Sequence, residues 1–113
     1  LLQATNTDVV AQEFRSGLWV KDFTSFVNVR QVSTDAALTG VRIYEFDDQN
    51  RLKSISEART GEYRGSDRWL LRDVTRTRFL GDRTEAVTES QSEWHSVLNP
   101  SILNVLMVVP ERM

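Results

Sequence analysis

Apolar and polar residues alternate along most of this chain, and they do so in short bursts. From Gly17 onward, runs rich in β-branched and aromatic residues cover positions 18–21, 26–32, 41–46, 52–58, 61–64, 68–72, 74–80, 84–88 and 93–98. Gly, Asp, Asn and Ser divide them at intervals of 8 to 12 residues, the rhythm of strands joined by tight turns. Asp47-Asp48-Gln49-Asn50, Gly65-Ser66-Asp67 and Gly81-Asp82-Arg83 each lie between two runs and predict hairpin turns. About nine short antiparallel strands with almost no helical period predict an all-β sandwich, jelly roll or barrel. No connection is long enough for a crossover helix, which excludes a parallel βαβ fold.

The two ends differ from this middle. Residues 1–16 are polar and weakly patterned, and Asp8 is placed to cap a short helix through Val9, Val10, Glu13 and Phe14 that Gly17 would stop. Asn99-Pro100 closes the last run, and proline at a first helical position predicts one or two turns through Ile102, Leu103 and Leu106. Pro110 beside Glu111 suits the start of another helix. The expected division is an N-terminal extension over 1–16, a β domain over 17–98 and an exit segment over 99–113. The longest apolar run, 105–109, falls far short of the ~20 residues of a membrane helix. With no signal-peptide pattern and no initiator methionine, the chain is expected to be a soluble segment of something larger.

Composition narrows the chemistry. The 113 residues suffice for one domain, and 14 basic against 16 acidic side chains argue against nucleic-acid binding by bulk charge. There is no cysteine, hence no disulfide, thiol nucleophile or cysteine-held zinc. The single histidine, His95, follows Trp94 in an alternating run and reads as an ordinary strand residue. Asp47-Asp48-Gln49-Asn50 offers oxygen ligands, but it lacks the spacing of a calcium loop and reads as a capped turn. No glycine-rich phosphate loop occurs. The expectation is a protein without catalytic residues, metal or cofactor, and not an enzyme.

Two features remain. Strand alternation would put Arg72, Arg76 and Arg78 on one face with Val74, either as a row for phosphates or acidic sugars or, more simply, as a solvated face. Asp73, Asp82, Glu85 and Glu89 stand near enough in sequence to pair with it. The aromatics, with Trp19, Trp69 and Trp94 foremost, are enough to fill a core. In a roll that does not close, the same inward row would line a groove for an acyl chain. Val27, Val29, Ile43, Leu52, Ile55, Trp69, Leu71 and Trp94 are the expected interior, and so the expected lipid-facing residues if such a groove exists.

Several words of the sequence go further. Gly17-Leu18-Trp19-Val20-Lys21-Asp22 followed by Phe26-Val27-Asn28-Val29-Arg30 resembles the opening of the LptG-type subunits of the lipopolysaccharide export permeases. The likeness continues through Gly40-Val41-Arg42-Ile43-Tyr44-Glu45-Phe46-Asp47, Leu52-Lys53-Ser54-Ile55 with Ala58, and Trp69-Leu70-Leu71-Arg72-Asp73-Val74. It ends in Leu98-Asn99-Pro100 and Val109-Pro110-Glu111-Arg112-Met113, covering about residues 9–113 in order. The resemblance implies a periplasmic β-jelly roll between membrane helices of an inner-membrane ABC transporter. Its implied partners are LptF, LptC and the ATP-hydrolysing cytoplasmic LptB, and its implied cargo is lipopolysaccharide. Related rolls would stack edge to edge into a bridge toward the outer membrane, with this roll as carrier or as scaffold. The sibling LptF domain and a stand-alone lipid- or carbohydrate-binding sandwich are the alternatives.

Overall fold

The structure is a computed structural model that describes residues 2–5, 9–14, 17–33 and 37–103, with side chains from residue 17 onward. Eight strands follow one another: β1 (Leu2–Thr5), β2 (Val9–Phe14), β3 (Gly17–Asp22), β4 (Ser25–Val32), β5 (Leu38–Phe46), β6 (Leu52–Gly65), β7 (Arg68–Phe79) and β8 (Thr84–His95). Each pairs antiparallel with its sequence neighbour, giving one sheet in the order β1 to β8. The all-β reading holds, as do the three hairpin turns.

The strand count and the N-terminal helix need correction. Val9-Val10 and the residues after them form β2, fully paired with β3 from Val9↔Asp22 to Phe14↔Gly17. β-branched residues favour a pleated surface, and an available partner strand outweighs a marginal cap. The expected extension over 1–16 thus contributes two strands to the sheet. Further on, six of the nine expected runs merge in pairs into β6, β7 and β8, which are 14, 12 and 12 residues long. Common strands run to about 5–6 residues, so these lengths call for a cause.

The cause is a break in alternation that runs straight across the sheet. In β6 the buried positions are Ser54, Ser56 and Ala58, then Gly61, so two residues rather than one separate the last pair. The same two-residue step separates Val41 from Leu38 in β5 and Leu71 from Val74 in β7. These steps are in register, because Gln31↔Thr39, Thr39↔Thr60, Thr60↔Arg72 and Arg72↔Gln91 form one continuous row of partners. Gly40 (φ 70) and Asp73 (φ 55) take left-handed backbone on the neighbouring row. Such a break in alternation re-aims the side chains that follow it. Here β5, β6 and β7 make it together without slipping register, and the sheet folds over onto itself into two layers that share one interior.

Each layer brings its own inward row. Leu18, Val20, Val27, Val29, Val41 and Ile43 lie on one side of the bend, and Leu38, Trp69 and Leu71 on the other, all buried. Trp69 is fully buried, edge-on to Tyr63 at 5.1 Å and tilted against Trp94 at 6.2 Å between ring centroids. The chain after β8 then closes one end of the roll. Ser96 Oγ donates to Asp22 Oδ2 (2.7 Å) and accepts from the Leu98 N–H (3.1 Å), and Trp69 Nε1 donates to the Leu98 carbonyl (3.1 Å). Asn99 caps the helical turn at 100–103 by accepting from the Ile102 N–H (3.0 Å), with Pro100 in its first position. The expected continuation through Leu106 and the second helix near Pro110 lie outside the described residues. Among the described residues, no helix is long and apolar enough to cross a membrane.

Three measurements test this account. Trp69→Ala removes a dry, fully packed indole and orphans the Leu98 carbonyl, so chemical denaturation should show a loss of about 3–5 kcal/mol. Gly17 sits at φ 110, and a Cβ there would collide with the Val29 carbonyl oxygen and the Arg30 backbone. Gly17→Ala should therefore cost about 1–3 kcal/mol from backbone strain alone. Asp47 supplies the pH dependence. Its Oδ1 accepts the Arg51 and Gln49 N–H groups (2.9 and 2.8 Å), which hold its carboxyl below the ordinary 3.8. A depressed folded value contributes stability above the unfolded value that is lost as pH falls through the folded one. The melting midpoint of Asp47→Ala should thus lie below that of the parent at pH 7, with the gap narrowing in acid through that window.

Candidate functional site

The two layers meet tightly on the β3–β4 side and part on the β7–β8 side. The parting leaves a groove of about 560 Å³, within the usual range of about 300–1,000 Å³ for small-molecule sites. One wall comes from the β5–β7 layer, with Ile43, Ser54, Ser56, Arg76 and Arg78, and the other from the folded-over layer, with Leu71, Glu93, Trp94 and His95. Phe79 and Leu80 stand at the mouth, 36% and 41% exposed. Its walls are therefore amphiphilic, with Ile43, Leu71 and Trp94 beside serines, arginines and carboxylates.

Alternation explains who points in. Cross-strand partners share a face, so Ser56↔Arg76 and Ser54↔Arg78 continue the inward row that Ala58↔Val74 begins. Arg76 Nε donates to Ser56 Oγ at 3.2 Å. Among the described residues, neither Arg76 nor Arg78 meets a carboxylate. Of the acids expected to pair with this row, Asp73 meets Arg59 at 2.7 Å, while Glu85 stands directly across from Arg78 on β8 and lies 3.8 Å from Arg83. Arg72 leaves the row altogether. The two-residue step after Leu71 turns it to the outer face, where it lies 3.6 Å from Glu62. The arginine row is thus Arg76 and Arg78 on the concave side, and not three arginines on a solvated face.

The eight residues expected to form the interior divide three ways. Ile43, Leu71 and Trp94 line the groove. Val27, Val29 and Trp69 are buried to 1% exposure or less, the two valines in the β4 part of the core. Ile55 is a correction, because it pairs with Tyr44 and Thr77 on the outer face, opposite Ser54 and Ser56, and is only half-buried. Leu52 is half-buried where the β5–β6 register slips near Phe46. Ile55 is an apolar residue on the outward phase, which sequence alone does not tell from the inward one, whereas Leu52 shares the phase of Ser54 and Ser56 and is half-buried because it opens the strand. Arg76, Arg78 and the two serines were missed as groove residues, although counting by twos from Val74 reaches both arginines.

The single histidine lines the groove with its ring 70% exposed and its Nε2 3.8 Å from Glu93, which also meets Arg68 at 3.4 Å. The Asp47 turn is closed by its own backbone amides and Arg51. A second feature adjoins the groove. β8 pairs with β7 on one side, and no strand covers its other side among the described residues. Along its 12 residues it carries neither proline nor lysine, and its charges are the three carboxylates Glu85, Glu89 and Glu93.

Comparison with known proteins bears on both features. The model of the family described as lipopolysaccharide export system permease LptF/LptG matches residues 1–113. A lipopolysaccharide export system permease protein LptG of Haemophilus influenzae is 30% identical over 97 residues, 85% of this chain and 27% of its own length. The protein of the same name from Escherichia coli K12 is 31% identical over 101 residues, 86% of this chain and 28% of its own length. The chain thus spans little more than a quarter of these relatives. On a match that runs from its first residue to its last, the chain belongs to the LptF/LptG family of lipopolysaccharide export system permeases.

Proposed function

We propose that this chain is the periplasmic domain of an LptG-type inner-membrane permease subunit, and that it works by joining its open β8 edge to a related jelly roll of LptF or LptC. Unpaired N–H and C=O groups along an uncovered edge recruit a further strand, and Glu85, Glu89 and Glu93 on β8 would favour a partner edge that carries cations. The uncovered β8 is the observation that carries this reading. Both relatives named above are LptG proteins, which supports LptG over its sibling. In such an assembly, ATP hydrolysis belongs to the separate LptB subunit, and this domain contributes binding and alignment.

The groove adds a carrier role. It opens between β8 and the β5–β7 layer, next to the edge where a neighbouring roll would attach, so two stacked rolls would have continuous grooves. Each methylene buried against Ile43, Leu71 and Trp94 contributes about 0.8 kcal/mol, which suits the acyl chains of lipopolysaccharide. A photo-crosslinker in the assembled transporter, supplied with ATP, checks both roles. At Ile43 or Trp94 it should capture lipopolysaccharide, whereas at Ile55 or Glu57 on the outer face it should not. At Val87, exposed on β8, it should capture a neighbouring roll. Capture at Val87 with silence at Ile43 and Trp94 would reduce the domain to a scaffold. Silence at all three positions would remove it from the bridge.

A further inference from the structure

The outer face of the sheet changes character along its strands. Toward and past the bend it is a surface of ion pairs, Arg42–Glu57, Arg59–Asp73 and Arg72–Glu62. Toward the opposite end it is aromatic. Lys21, Phe26, Tyr44 and Ile55 are partners in one outward row. Trp19 stacks on Tyr44 and Phe46 meets Phe26 edge-on, both at 5.9 Å between ring centroids. The turns after β3, β5 and β7 lie at this same end. So do four of the five large hydrophobic side chains exposed among the described residues, Phe23, Phe26, Phe79 and Leu80. Apolar surface gathered at one pole, rather than scattered singly, marks a contact.

Phe23 is the most exposed of the four at 63%, and core packing gives no reason for its conformation. It is the first of the two residues that link Asp22 to its partner Ser25, and its φ is 57. Glycine takes that turn position freely, and a bulky aromatic takes it only under strain. The tip is nonetheless well tied. Lys21 Nζ donates to the Phe23 carbonyl at 3.0 Å, and the Phe46 N–H donates to the Thr24 carbonyl at 3.1 Å. A strained, pinned turn thus holds a phenyl ring out in the open. The segment after β8 is moored at the same place, through Ser96 to Asp22, the residue before Phe23.

We infer that the β3–β4 hairpin tip is a membrane-interface anchor: Phe23 and Phe26 enter the head-group layer of the bilayer beside the domain, and Lys21 keeps its ammonium at the level of the phosphates. Exposed rings next to a lysine, whose stem is apolar and whose head is charged, suit a layer that is oily on one side and wet on the other. Lys21 Nζ lies 6.0 Å from the centre of the Phe26 ring, so ring and charge are presented together. The β5–β6 tip, closed by Asp47 and Arg51 with Asp48 beside them, stays on the water side and limits the depth. The inference rests on the permease reading, under which the membrane-embedded part lies in the larger share of the relatives' length that this chain does not cover. It adds a second hold on the bilayer, one that fixes how the roll is tilted where a flexible tether would leave it free to swing.

The test uses the full-length permease with its partner subunits in nanodiscs of phosphatidylethanolamine and phosphatidylglycerol. This domain contributes no cysteine, so once any others are replaced a nitroxide can be placed singly by T24C, D48C or E57C. Power-saturation EPR compares exposure to oxygen, which concentrates in lipid, with exposure to a nickel chelate, which stays in water. The oxygen-to-chelate ratio at position 24 should be several-fold above that at 48 or 57, and Phe23→Gly should erase the margin. The same Phe23→Gly change in the domain should melt no lower than the parent, because glycine relieves the turn. A position 24 as open to the chelate as position 48 would overturn the anchor and leave the permease reading intact. Shielding from both reagents would overturn it in favour of a protein contact, and a marked drop in melting temperature for Phe23→Gly would make the ring a structural one. If alkaline extraction releases the full-length protein from membranes, the permease reading itself fails and the anchor falls with it.

Discussion

The architecture depends on one constraint: a strand can change which face it buries only by breaking its two-residue alternation, and its partners must break theirs at the same level to stay paired. In this chain β5, β6 and β7 make that change at the same level, along the row through Thr39, Thr60 and Arg72. Had only one strand done so, its far half would have shown apolar side chains to water. Because all three do, each half keeps its apolar residues inward, and the flat meander becomes a folded pair of layers. Gly40 and Asp73 are where the backbone absorbs the turn, and the Arg59 guanidinium holds the Asp73 carboxylate at 2.8 Å from Nε.

That bend creates the site as well as the core. It carries Leu71, Trp94 and His95 over the layer that bears Ile43 and Arg76, bringing together residues that would lie far apart along extended strands. On the β3 side the layers are pinned by Ser96, Asp22, Leu98 and Trp69. On the β8 side nothing equivalent is present among the described residues, and the layers part. A closed half and an open half of one roll thus follow from where the last segment of chain docks.

Sequence alternation made the strand content and the turns legible, because hairpins are local and their residues are specific. It made the bend invisible. A two-residue step looks, in one dimension, like the end of one strand and the start of another, and so residues 52–65 were divided near Gly61 although they form a single strand. The same blind spot put Arg72 with Arg76 and Arg78, since counting by twos across Asp73 carries a side chain to the wrong face. Ile55 failed for a different reason: an apolar residue half-covered by Tyr44 and its neighbours on the outside has the same letter as one in the core. The words resembling the permease family lie mostly on β3 to β7, and they were readable because they combine turn residues with strand residues at fixed spacing.

The pairing of Ser96 with Asp22 has a mechanical meaning. The bond joins positions 74 residues apart in sequence, so a pull applied along the chain from its two sides reaches this short, buried link and the Trp69–Leu98 contact beside it before it reaches the hairpins among β4 to β8. A strictly sequential meander without such a latch would come apart strand by strand, each rung failing alone. With it, strands β4 to β8 lie inside a closed loop that carries no tension until the latch opens. If neighbouring segments tug on this domain as they move, the load runs through the latch and around the groove rather than across it.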